Sequence, residues 1–135
     1  MAHTKPLFVI LASTLQALRN CEARDDNRDH WHAMEDMHAD KIESLCKQYL
    51  PHGSGFDSGC ELDIDASRPN RLVFSADFHH MNDNGYYNGW STHQVIITPD
   101  LAHGFNMRIT GRDRRRIKEY IADTFNYVLS QQIEV

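Results

Sequence analysis

Apolar residues in this chain follow a helical period at both ends and a strand period in the middle. From Leu7 they run through Leu11, Leu15 and Leu18. Pro6 suits a helix start, where its missing N–H would be unbonded anyway. The polar stretch Glu22 to Asp29 reads as a connection, with Asp29 capping a second helix. Trp31, Met34, His38, Ile42, Leu45 and Tyr49 recur at spacings of three and four, one stripe of an amphipathic helix. That helix ends at Leu50, because Pro51 pushes the residue before it out of helical geometry. After the glycine-rich loop Gly53 to Gly59 the period becomes two. Leu62 and Ile64, then Leu72, Phe74, Ala76 and Phe78, then Val95 and Ile97, then Phe105, Met107 and Ile109 each alternate with polar neighbours. Four such runs with turn-rich connections (Ser67–Asn70, Met81–Gly89, Pro99–Gly104) predict an antiparallel sheet covered on one face. Ile117, Tyr120, Ile121, Phe125, Val128 and Leu129 supply the stripe of a last helix, capped by Asp113. The pattern predicts one α+β domain over residues 1–135: two N-terminal helices, a four-stranded antiparallel sheet, and a C-terminal amphipathic helix packed on one face of it.

Composition changes this picture little. At 135 residues, 41% hydrophobic and 24% charged, the chain can bury a core without staples. A net charge of −5 disfavours binding of nucleic acid by the molecule as a whole. Cys21, Cys46 and Cys60 are odd in number and lack CxxC spacing, which reads as reduced thiols in a cytoplasmic protein. The apolar run Leu7 to Ala12 is far shorter than the roughly 20 residues a span requires, and reads as a buried helix rather than a secretory segment. No membrane partner is expected.

Local charge is more informative. Arg108, Arg112, Arg114, Arg115, Arg116 and Lys118 hold six of the 14 Lys and Arg residues. Those at 114–116 fall in the first turn of the last helix, where the macrodipole disfavours each cation by about 0.3–1 kcal/mol. Arginine forks beside free helix N–H groups can grip phosphate or carboxylate. The alternative is a solvated face neutralised by Asp113, Glu119 and acids from other segments. Tyr86, Tyr87 and Trp90, set among Asn and Gly between the second and third strands, form either a lid over the core or a recognition patch.

Nine histidines are an excess, and His79, His80 and His93 fall in or beside the central hairpin. If His79 or His80 met His93 across the sheet, the group could hold a metal or small ligand. No HExxH is present, and hydrogen-bonded strand-end histidines are the favoured reading. His38, on the stripe of the second helix, reads as a core histidine. GSGFDSG lacks the lysine of a P-loop and precedes a strand, and Ser54 or Ser58 with His52 and Asp57 lacks a nucleophile elbow. Its glycines permit tight turns, and Phe56 is expected in the core. No catalytic residue and no cofactor is assigned.

The segments LPHGSGFDSG, FHHMNDNGYYNGW and ITGRDRRRIKEYI, spread over Leu50 to Leu129, resemble a family of small accessory proteins of bacteriophages and prophages. The resemblance covers about three-fifths of the chain, excludes the first helix, and brings no catalytic residue with it. It implies a non-enzymatic protein that inhibits a host protein or ribonucleoprotein, as anti-CRISPR proteins inhibit bacterial defence systems. Double-stranded RNA or DNA held by the basic helix start, and a metal-dependent enzyme built on His79, His80 and His93, are the alternatives.

Overall fold

A computed structural model describes residues 3–24, 26–53, 55–56, 59–81, 87–100, 104–111 and 115–135; the side chains of 80, 81, 87 and 88 lie outside the description. The elements, in order, are β1 (Thr4–Pro6), α1 (Leu7–Glu22), α2 (Arg28–Tyr49), β2 (Cys60–Leu62), β3 (Leu72–Met81), β4 (Tyr87–Asp100), β5 (Gly104–Ile109), α3 (Arg115–Leu129) and β6 (Gln132–Glu134). Strands β2-β3-β4-β5 form an antiparallel meander in sequence order, as the period-two runs require. The α+β architecture of two N-terminal helices, four-stranded sheet and C-terminal helix stands as the pattern predicts. Among the described residues, no helix is long and apolar enough to cross a membrane.

One face of the sheet packs the main core, and Val73 and Ile96 are buried on the other. Leu62, Leu72, Phe74, Ala76, Val95 and Ile97 point inward, each 6% exposed or less. They meet Leu7, Leu11 and Leu15 of α1 and Ile121, Phe125 and Leu129 of α3, all fully buried. Phe125 crosses Phe74 edge-on with centroids 5.7 Å apart, and Phe8 of α1 crosses Phe105 at 4.9 Å. Phe56, 1% exposed, tucks in as the sequence predicts, and packs with Phe78 and Tyr120. Tyr120 keeps 42% of its surface exposed, so the α3 stripe is narrower than its pattern.

Several local expectations are corrected. Asp29 does not cap α2: Asn27, at φ 50°, precedes the helix, and Asp29 lies in the first turn, where its charge complements the dipole. The α2 stripe is mostly half-buried, with only Ile42 and Cys46 fully covered, and His38 too is half-buried. At 22 residues against 16, α2 is about 9 Å longer than α1 at 1.5 Å per residue, and no residue of its N-terminal half is fully buried. There Arg24 lies over the Trp31 ring, 5.1 Å from its centroid. The β3–β4 hairpin runs further than expected, since β4 begins at Tyr87. β4 also continues through Pro99, which pairs with Phe105. The proline nitrogen there faces the β3 side, and β3 begins only at Leu72, opposite Ile97, so no ladder bond is lost.

A feature without sequence signal ties the ends together. β1 pairs with β6 through Thr4–Glu134, Lys5–Ile133 and Pro6–Gln132. The Leu7 N–H, an orphan donor of the α1 start, bonds to the Gln131 carbonyl at 3.0 Å. Arg19 of α1 similarly clasps the β2–β3 connection by donating to the carbonyls of Ile64 and Ser67, while pairing with Glu22 at 2.9 Å.

Candidate functional site

The sheet register decides which polar side chains can meet. Ala76 faces His93, Asp77 faces Thr92, and His79 faces Trp90. Side chains alternate between faces along a strand. Ala76, Phe78, Ser91 and His93 therefore point inward, whereas Asp77, His79, Trp90 and Thr92 point outward. His79 and His93 lie on opposite faces of the sheet, so the expectation that they approach each other fails, and with it a metal site shared by these two. Among the described residues no group of three or more His, Cys, Asp or Glu could hold a metal ion. Asp77 does share a face with His79, but its carboxylate accepts a 2.6 Å bond from the Thr92 hydroxyl.

His93 is fully buried and held at both nitrogens. Nδ1 lies 2.9 Å from the Thr110 carbonyl oxygen, which only accepts, so Nδ1 carries the proton. Nε2 is then the acceptor for the Ser91 hydroxyl, 2.9 Å away. Gly111, at φ +119°, lies so close that a Cβ there would sit 2.6 Å from Nδ1. A serine bonded to an oriented histidine matches part of a hydrolase triad, but a backbone carbonyl stands where the carboxylate would be. Neither Ser91 nor His93 lines the clefts described below. The arrangement acts as an anchor: it fastens the chain leaving β5 to β4 immediately before α3. Ser91, Thr110 and Gly111 were not legible as partners of His93, since only the register brings them together.

The basic residues divide. Arg115 and Arg116 open α3, with no acid in the first turn, and both are exposed. Arg115 Nε bonds to Glu119 Oε1 at 2.9 Å, but its side chain keeps 93% of its exposure, so the pair is screened and worth little. Among the described residues, neither Arg116, Lys118 nor Arg108 is paired with a carboxylate. Arg108 points to the outer face from β5, opposite Ile96. Trp90, 61% exposed, is outward too, whereas α3 covers the inner face. The described members of the basic and aromatic groups therefore do not form one patch. Arg112, Asp113, Arg114 and Tyr86, and the side chains of His80 and Tyr87, lie outside the described residues.

Among the described residues, clefts lie along both edges of the sheet. Between β5 and α3 a cleft of about 620 Å³ has Met107, Ile109 and Ala122 as apolar lining and Arg115, Lys118, Glu119 and Asn126 as polar lining. Between α2 and β2 a second, of about 390 Å³, is lined by Ile42, Cys46, Cys60 and Leu62 with Glu43, Lys47 and Glu61. Burial pushes the Cys60 thiol up to about 12, helped by the Asp77 carboxylate and by Cys46. Burial likewise pushes Cys46 up to about 11, against a backbone hydrogen bond at Leu62 that lowers it. Thiols held so far from ionisation are poor nucleophiles. The two edges of the sheet thus differ in sign, since Glu61, Asp63 and Asp65 stand exposed at the β2 end. With this geometry in place, comparison with known proteins finds no matching family model, no matching curated protein and no matching solved structure.

Proposed function

We propose that this is a non-enzymatic binding protein of the phage accessory kind, which occupies and inhibits a host protein or ribonucleoprotein in the cytoplasm, with bacterial defence complexes as the first class to test. The observation that carries this reading is the start of α3. Arg115 and Arg116 stand where the helix dipole disfavours them, exposed, and with Glu119 as the one described carboxylate beside them. An anionic surface on a partner would remove that cost and gain charge-assisted hydrogen bonds. His93 supports it further by holding Thr110, five residues before Arg115, against β4.

The test compares wild type with R115E/R116E in affinity purification from an infected bacterial host, read by mass spectrometry. A species retained by wild type and lost from a folded variant supports the reading; equal retention by both rejects this surface. Duplex RNA or DNA is the second reading, favoured by the same exposed arginines and opposed by the carboxylates at the β2 end. A titration at two salt concentrations separates them, because phosphate-dominated affinity falls steeply with salt.

A further inference from the structure

We infer that the open edge of β5 takes an extended, acidic segment of a partner protein as an added strand, with the β5–α3 cleft receiving its inward side chains. This rests on reading the α3 start as a docking surface, and specifies how that surface works. β5 is the last strand in the sheet order, and among the described residues nothing pairs with its outer edge. The Thr110 N–H bonds to the Gln94 carbonyl on β4, which fixes the parity of the strand. Arg108 and Asn106 therefore direct their main-chain groups to β4, and Phe105, Met107 and Ile109 direct theirs to the open edge. That is a row of donors and acceptors on which a strand can be laid.

Side-chain chemistry selects the occupant. The three residues with outward main-chain groups turn half-buried apolar side chains inward, and Met107 and Ile109 line the cleft beside Ala122. Arg115 and Lys118 stand over that cleft on α3, and Arg108 projects on the opposite face of β5. A strand added here would have cations along both of its faces, with Glu119 as the single carboxylate of the lining. In an alternating apolar and acidic segment the apolar side chains enter the lining of Met107, Ile109 and Ala122, and the acidic ones meet Arg108 on the outer face. A second copy of this chain offering its own β5 would oppose like charges and is disfavoured.

The test uses the full chain and a fluorescent hexapeptide, Glu-Val-Glu-Val-Glu-Val, matched to the six residues of β5. Saturable binding is expected, weakened about tenfold by R108E, because Arg108 faces the acidic side chains of the added strand. Residue-resolved amide exchange is expected to show Phe105, Met107 and Ile109 slowed at least about tenfold by peptide while Asn106 and Arg108 are unchanged. A peptide N-methylated at alternate residues should bind weakly and protect nothing. Binding without protection of that alternating set, no binding at all, or self-association that buries β5 would each overturn strand addition. If strand addition fails while R115E/R116E still releases a captured host species, the binding function stands without it. If peptide protection is seen but no host species depends on those arginines, the reverse holds.

Discussion

Replacing Gly111 by alanine should be among the most damaging small substitutions in this fold, and the reason lies in His93. At φ +119° an L side chain is strained, at a cost of about 1–3 kcal/mol. The added Cβ would also lie 2.6 Å from His93 Nδ1 and 2.9 Å from Cε1, well inside contact distance. The ring has nowhere to retreat, being fully buried and bonded at 2.9 Å on each nitrogen. Displacing it breaks the bond to the Thr110 carbonyl and leaves buried polar groups unmatched, about 1–3 kcal/mol more. Together these reach about 2–6 kcal/mol, a large part of the roughly 5–15 kcal/mol that holds an ordinary domain together. Urea unfolding measures it directly. Gly104→Ala is the control, since it shares a positive φ of +91° but its added Cβ would meet no atom of the described residues within 4 Å. The excess of Gly111→Ala over Gly104→Ala isolates the contact with the ring. On a His93→Ala background that excess should shrink towards zero. Equal costs at the two glycines, or an excess indifferent to His93, would refute the anchor.

Other outcomes follow from the same structure. Arg116→Glu should leave the fold intact and stabilise it by about 0.3–1 kcal/mol, because it places an acid at the positive end of α3; a loss of stability in thermal melts would show that Arg116 has a structural partner. Ile133→Ala should cost about 2–4 kcal/mol in urea, since the small β1–β6 sheet buries that side chain to 9% exposure; a cost below about 0.5 kcal/mol would mean the terminal strands contribute little. The thiols set an alkaline limit. The folded state holds Cys46 protonated up to about 11 while the unfolded chain ionises near 9.0, so the unfolded state binds fewer protons in that window. Stability should therefore be unaffected below pH 9 and fall by about 1.4 kcal/mol per pH unit from this thiol between pH 9 and 11, with Cys46→Ala flattening the slope. Rapid alkylation in the native protein at pH 8 would contradict the burial of Cys46 and, at half-buried Cys60, a thiol pushed up to about 12.

What the sequence revealed depended on whether a pattern was local. The helices and the four strands are written in periods of 3.6 and 2, each visible within one window, and Phe56 between glycines was identifiable as core. The β1–β6 pairing has no such mark, since three-residue strands separated by the length of the chain carry no period. Pro99 within β4 reads as a turn until the short span of β3 shows that its nitrogen faces no partner. The candidate site divides in the same way. The crowding of arginines at the start of α3 was plain, because cations in a first turn contradict a local rule. The role of His93 was not, because its partners are a serine on its own strand, a carbonyl beyond β5 and a glycine that makes room for the ring. The separation of Trp90 from α3 by the sheet also required the register, which no single segment encodes.

These observations explain how a helix with an electrostatically unfavourable start can be kept in place. α3 is not held by the charged side chains of its first turn. Just before it, Thr110 and Gly111 are fastened to β4 through His93, and just after it β6 is paired to β1. Between these fixed points Ile121, Phe125, Val128 and Leu129 are buried, worth several kcal/mol in sum. Against that, two misplaced cations cost about 0.6–2 kcal/mol, a deficit the fold can absorb without losing the helix. Within the first turn Ile117 packs on the core, while the exposed side chains of Arg115 and Arg116 can be chosen for what lies outside the molecule. The same reasoning applies to β5, whose inner side chains and β4-facing main chain complete the fold while its other edge, beside those cations, is unpaired among the described residues and is where we place the strand of a partner.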